Sequence, residues 1–354
     1  MKNFLWIFSP LALDSGLFFC LYSDERPVNS FNKANRMTWQ TVATQLDQPS
    51  ELGESPFWHP DERLLYWLDI PGKLIHRLDV VTGSTQSWAM PSEPGSMAPA
   101  RDARGNASGL VIALRDGIYR ARQWGGPLQL LAKATHNTAT TRFNDGKADP
   151  CGRFWAGTMY EPRDVASAQL FSLDGRNGQV CGLTLKADHA TIANGLAWSP
   201  DARTVYWSDT TSHTIRAWDW DPQTSGMTRE RIFKQWPGKP DGWLADRGYV
   251  SGQPVYGGRP DGAAVDVQGH YYVAMFEGGR VLKLSPAGDI LAVLPVPALC
   301  PTMPCFGGDD LRTLYLTTAR HNRSAAELQA WPNSGCVWSM PVEVPGLPVN
   351  FFLD

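Results

Sequence analysis

Four short stretches set oxygen-bearing side chains beside glycine or another small residue: LGESPFW (52–58), TTRFNDGK (140–147), TIANGLAW (191–198) and GRPDGAAV (258–265). Their polar residues are Glu54, Arg142 with Asn144 and Asp145, Asn194, and Asp261. Two carboxylates with one or two carboxamides offer only oxygen. That hard donor set suits Ca2+, Mg2+ or Mn2+ and, completed by water, tolerates Fe2+ or Zn2+. Glu54 and Asp261 would also balance the charge of one divalent cation, which allows burial. The neighbouring glycines let the backbone approach closely. Asn-Gly and Asp-Gly are equally common turn dipeptides, so spacing alone leaves the turn and site readings both open. Asp145 and Lys147 are open in the same way, as a local pair or turn cap or as part of the site.

Other chemistry finds less support. There is no G-x-S-x-G elbow and no His close to a Cys that would make a nucleophile pair. The histidines at 59, 76, 136, 189, 213, 270 and 321 show no metal spacing and read as surface or packing residues. The six cysteines include no CxxC pair and are expected as free thiols in a reducing cytoplasm. Arg320-His-Asn-Arg323 reads as a solvated loop.

The elements that must bring the four stretches together repeat along the chain. A turn of the form Asp/Pro-x-x-Gly/Arg, a strand rich in aromatic or β-branched residues, a tight turn and a second strand recur six times, at 59–80, 102–122, 149–174, 199–221, 266–286 and 307–342. The turns step by about 40 to 50 residues, with one longer step between the fourth and fifth copies, which is the period of propeller blades. Helical periodicity is nearly absent, and Gly 33, Pro 27 and Trp 15 favour turns and strands. The expected fold is all-β, a six-bladed β-propeller over 37–354, with an insertion at about 234–258. Residues 38–46 are expected to pair beside 346–354 and so close the ring. Trp67, Trp155, Trp207 and Tyr272 hold similar strand positions and are expected in the core. In a propeller the residues entering each innermost strand face a common channel. The four stretches occupy that place.

The N-terminal 36 residues begin with a lysine and an apolar run, but Asp14 interrupts it and no small-residue cleavage site follows. A poorly ordered extension and a cytoplasmic location are expected. A net charge of −3 provides no field for a phosphate backbone, and no run of eighteen apolar residues could span a membrane. The expected partner is a small molecule.

At these same stretches the sequence resembles the regucalcin/gluconolactonase/luciferin-regenerating family of sugar lactonases. The motifs stand in the family's order: LGESPFWHPDERLLYWLDI, RFNDGKADPCGRFWAGTM, IANGLAWSPDARTVYWSD, RPDGAAVDVQGHYYVA and PTMPCFGGDDLRTLYLTTA. The resemblance implies a six-bladed propeller that opens a glucono-, arabino- or xylonolactone to its aldonic acid. It implies one divalent cation (Ca, Zn, Mn, Mg or Fe(II)) held by Glu54, Asn194 and Asp261, with Arg142 and Asn144 touching the substrate and Asp261 as general base. Ser55 stands where the family usually has Gly, and Glu161 is the residue available for the family's acidic substrate contact. Asp241 repeats the Pro-Asp-Gly context of Asp261, but only Asp261 is followed by the full strand repeat. Two alternatives remain: a non-catalytic propeller binding calcium or a partner, and a lactonase or esterase acting on a non-sugar substrate.

Overall fold

A computed structural model describes residues 38–42, 48–178, 180, 182–243 and 256–354. The expected extension at 1–36 and the middle of the expected insertion lie outside these residues. A short strand β1 (Gln40–Thr41) precedes six groups of strands. The first blade holds β2 (Gly53–His59), β3 (Leu64–Asp69), β4 (Leu74–Leu78) and β5 (Thr85–Ala89), and the second β6 (Pro94–Arg101), β7 (Ala107–Leu114), β8 (Gly117–Ala121) and β9 (Gln129–Lys133). The third holds β10 (Thr141–Ala148), β11 (Phe154–Tyr160), β12 (Ala168–Leu173) and β13 (Leu183–Ala190), and the fourth β14 (Ala193–Trp198), β15 (Thr204–Asp209), β16 (Thr214–Asp221) and β17 (Gly226–Gln235). The fifth holds β18 (Arg259–Val265), β19 (Tyr271–Phe276), β20 (Arg280–Leu284) and β21 (Ile290–Pro295), and the sixth β22 (Pro301–Gly307), β23 (Thr313–Thr318) and β24 (Trp338–Pro341). Neighbours within a blade are antiparallel, so the chain is the expected six-bladed β-propeller.

Burial explains the order of strands. Inner strands such as β2, β14 and β22 are buried along their whole length, while outer strands such as β5 and β9 are mostly exposed or half-buried. An inner strand has a neighbouring blade on either side, so it loses the alternation of a half-buried strand. Six apolar clusters fill the six gaps between adjacent blades. Trp67, Trp155 and Trp207, on the second strands, are fully buried, and Tyr272 nearly so, as expected of core residues. The repeated turn is built by its aspartate. Asp149 Oδ1 accepts from the backbone N–H of Cys151 and Arg153, and Asp266 Oδ1 from those of Gln268 and His270.

Closure differs from expectation in one respect. β1 completes the sixth blade, but its partner is β24 (Gln40 opposite Ser339) and not the segment 346–354. That segment leaves the sixth blade and ends in β25 (Phe352–Leu353), which joins the second blade parallel to β6. Two contacts explain the destination. Phe352 is buried in the cluster between the second and third blades, and Asp354 meets the fully buried Arg120 guanidinium at 3.0 Å. Removing one partner of a buried pair leaves an uncompensated charge. Asp354→Ala should therefore cost about 3 kcal/mol, read as the shift in urea denaturation. A loss of only a few tenths would show that the Arg120 contacts to Leu110 O and Ala121 O suffice alone.

Candidate metal and catalytic site

Glu54 on β2, Arg142 and Asn144 on β10, Asn194 on β14 and Asp261 on β18 line one cavity of about 170 Å3. They occur near the start of their strands. The later residues of the same strands line a second cavity of about 250 Å3, apolar except around Lys147 and a few small polar groups. Between the two, register slips in each strand: after Glu54, after Phe143, after Asn194 and after Pro260. Such bulges bend a strand and re-aim a side chain, and they gather at active sites.

The small residue after each donor has a local reason. Gly195 takes φ +59, and a Cβ there would collide with Ser208 Oγ and the Tyr271 hydroxyl. Gly262 lies so close to Met303 that a Cβ would not fit. Ser55 adopts φ +48 without being glycine. Its hydroxyl accepts from Met97 N (3.1 Å) and donates to Met97 O (3.4 Å), so the departure from glycine ties the first blade to the second. The strand starts are also gripped. Asp69, at the end of β3, accepts from Glu51 N and Leu52 N, and Asp209, at the end of β15, accepts from Thr191 N and Ile192 N. Each grip lies two or three residues before a donor.

A directed chain of hydrogen bonds orients the carboxamides. Arg142 Nη1 donates to Asn144 Oδ1 (2.7 Å), and Asn144 Nδ2 donates to Asn194 Oδ1 (3.0 Å) and to Ala193 O (2.9 Å). Asn194 Nδ2 donates to Thr210 Oγ1 (2.7 Å), which donates to Pro260 O (2.8 Å), the carbonyl preceding Asp261. With every donor spoken for, each amide has one sensible orientation. Glu54 and Asp261 are each 5% exposed. Burial, reinforced by the charges of Asp261 and Asp145, raises the Glu54 carboxyl well above its usual range. Burial and the charge of Asp145 do the same to Asp261, opposed by Arg259. Burial pushes the Arg142 guanidinium down to about 10.

Among the described residues no three His, Cys, Asp or Glu side chains gather closely enough to hold an ion. A cation here would rest on two carboxylates, carboxamide oxygen and water. Two desolvated carboxylates, each raised further by a neighbouring carboxylate's charge, fit a divalent cation, because its charge reverses that penalty.

Other sequence expectations fall in different places. Glu161 is absent from the cavity lining; it is drawn to Arg115, which donates to both its oxygens (3.0 and 3.1 Å) and also pairs with Glu93. Asp145 accepts from Leu196 N and Lys147 donates to Ala263 O, so both brace the channel across blades. Asp241 is exposed in a turn outside the strands. The loop Arg320–Arg323 is only partly the expected solvated loop: Asn322 is exposed, but His321, Asn322 and Arg323 also line the cavity. A loop needs polar residues in either setting. Thr210 was also missed, although the repeat carries a signal, since WLDI (67–70) becomes WSDT (207–210) with Thr in place of Ile. The four cysteines among the described residues are free thiols.

Residues 52–320 match the family described as SMP-30/Gluconolactonase/LRE-like region. The chain belongs to this family. It is 41% identical over 88% of its length to the 6-deoxy-6-sulfogluconolactonase of Pseudomonas putida, covering 99% of that protein. It is 34% identical over 79% of its length to pentonolactonase XacC of Haloferax volcanii, covering 85% of that protein. As a fold, this SMP-30/gluconolactonase-like chain resembles the crystal structure of a calcium-binding protein, regucalcin, from Agrobacterium tumefaciens (TM-score 0.76, 24% identity, 89% of this chain and 97% of that one).

The raised carboxyls have a measurable consequence. The folded state holds protons that the unfolded chain releases, so each group costs stability as pH climbs from the ordinary carboxylate range through its raised value. Chelated protein carrying Asp261→Asn should therefore be more stable than chelated wild type above that range, by at least about 1 kcal/mol. The gap should close in acid. Thermal melts of both proteins against pH check it, and a less stable variant at neutral pH would contradict the assignment.

Proposed function

We propose that this lactonase opens a sugar (aldono-) lactone, such as a glucono-, arabino- or xylonolactone, to the aldonic acid, with one divalent cation bound by Glu54, Asn194 and Asp261. The observation that carries the reading is the convergence of those three residues with Arg142 and Asn144 on one cavity, in a chain this similar to two proteins named as lactonases. The donor set is hard oxygen, so Ca, Mg or Mn suits it, and Zn or Fe(II) with water. When bound, the cation supplies Lewis-acid stabilisation of the negative charge that develops on the lactone oxygen.

The chain's own groups supply the rest. Asp261, as general base, takes a proton from the attacking water, and water entering at the carbonyl carbon breaks the ring ester bond. Arg142 is fixed by its bonds to Phe143 O and Asn144 Oδ1, and its Nη2 lies 3.2 Å from Met159 Sδ. Held in this way, its guanidinium meets substrate oxygens without reorganising. Asn144 and Asn194 are oriented by the chain of bonds, and each side-chain oxygen, with one hydrogen bond accepted, keeps a second lone pair for a further partner. No covalent intermediate with the protein is required.

Proton release on a panel of aldonolactones, with chelated enzyme and then with single divalent cations restored, tests the reading. Chelation should remove turnover and one or more cations should restore it. Asp261→Asn should lower kcat by roughly 100- to 10,000-fold, while Arg142→Gln should lower kcat/KM by roughly 10- to 100-fold. A fully active Asp261→Asn enzyme would sink the mechanism. Cation binding without turnover on any lactone would favour a non-catalytic propeller.

A further inference from the structure

The cavity carries more positive charge than the lactone reading uses. Arg163, Arg259 and Arg323 line it together with Arg142. Arg163 and Asn322 are exposed and mark its open end, while the proposed cation donors are buried. Behind this wall, Glu277 is shared by three cations: Arg259 (3.3 Å), Arg323 (3.0 Å) and Lys239 (3.0 Å). Glu327 takes the other side of Arg323 at 2.7 Å. Three cations thus share two carboxylates, Arg163 stands on the same wall as a fourth, and donors are left over. Arg259 Nε is buried without an acceptor, and among the described residues Arg163 has no carboxylate within 4.0 Å.

These groups are held in place. The Phe276 ring carries the guanidiniums of Arg259 and Arg323, at 5.2 and 5.8 Å from its centroid. Glu277 and Arg163 both take φ +62, a conformation that costs a non-glycine residue about 1 kcal/mol or more and persists only where its surroundings impose it. Partial desolvation at the mouth, and then the charge of Arg259, push the Arg163 guanidinium down. A preformed fork of unspent N–H donors with excess positive charge is the recognition chemistry of an oxyanion.

We propose that Arg163, Arg259 and Arg323 form an anion subsite, and that the preferred substrate is a lactone bearing an oxyanion, such as a sulfonate, phosphate or carboxylate, on the carbon remote from its carbonyl. The inference rests on the lactonase reading, which puts the carbonyl at the buried end and so points the far end of the sugar at these arginines.

Steady-state kinetics of the cation-loaded enzyme test it on glucono-1,5-lactone and on its 6-phospho, 6-deoxy-6-sulfo and 6-carboxyl counterparts, at low and high salt. At least one charged lactone should exceed the neutral one in kcat/KM by roughly tenfold or more, mainly through KM. Salt should shrink the difference, and the rank order identifies the oxyanion. Arg163→Gln and Arg259→Gln should each lower the charged-to-neutral ratio by roughly fivefold or more, with Arg163→Lys keeping part of it. Among the described residues Arg163 has no ion pair to break, so its variant tests the subsite even if loss of Arg259 unfolds the protein. Neutral lactones hydrolysed with no preference for charge would overturn the subsite and leave the lactonase reading standing. If no lactone is hydrolysed, the lactonase reading fails. Calorimetry with gluconate and 6-deoxy-6-sulfogluconate then decides the subsite alone: tighter binding of the sulfonate supports it and equal binding overturns it.

Discussion

Glu54 and Asp261 are held against one desolvated cavity although the charge of one opposes ionisation of the other. Left to themselves, two such groups would separate or face water. They cannot, because they sit on inner strands of the first and fifth blades, and each inner strand is clamped by the apolar cores on either side. The ring therefore carries a local electrostatic cost out of its total packing. A divalent cation held there, as proposed, would turn that cost into affinity, so the feature that weakens the cation-free protein would also prepare the site.

The two ends of the channel solve the charge problem differently. At the polar end Glu54 and Asp261 stand near Arg142, with Arg163, Arg259 and Arg323 toward the mouth, and the proposed divalent cation would balance the two carboxylates. At the apolar end Lys147 is the charged residue of the lining, opposed by burial and supported by the charge of Asp145. Asp145 in turn has one oxygen bonded to Leu196 N and the other without a partner. The charges of Asp145 and Lys147 thus offset one another along the middle of the channel.

Much of this was legible in the residues. The aspartate-led turns and the aromatic second strands repeat because every blade needs the same corner and the same filler between blades, so the fold could be counted off. The cavity-lining Asn194 and Asp261 were conspicuous because a bulge needs a small residue beside it, but Asn-Gly and Asp-Gly are also turn dipeptides, so spacing alone left site and turn open. The inner strands of the second and sixth blades were harder. PGSMAPAR (94–101) and PTMPCFG (301–307) carry two prolines each, which argues against a strand interior. A blade's innermost edge has no full partner strand toward the channel, so a missing N–H is tolerated there. The arginines at the open end left no pattern to read, since Arg163, Arg259 and Arg323 come from three blades and share no local spacing. Their grouping exists only once the ring has closed.

The way the ring closes also concerns the order of assembly. β1 fastens the sixth blade and β25 the second, and the first blade, which bears Glu54, lies between them. A chain emerging from the ribosome makes the strands of the first blade early, yet both of its flanking blades stay incomplete until residues beyond 338 and 352 arrive. The ring around the cavity is thereby completed only when strands from both ends of the described residues are in place. A chain that stops short of β18 lacks Asp261 and cannot present the two carboxylates together.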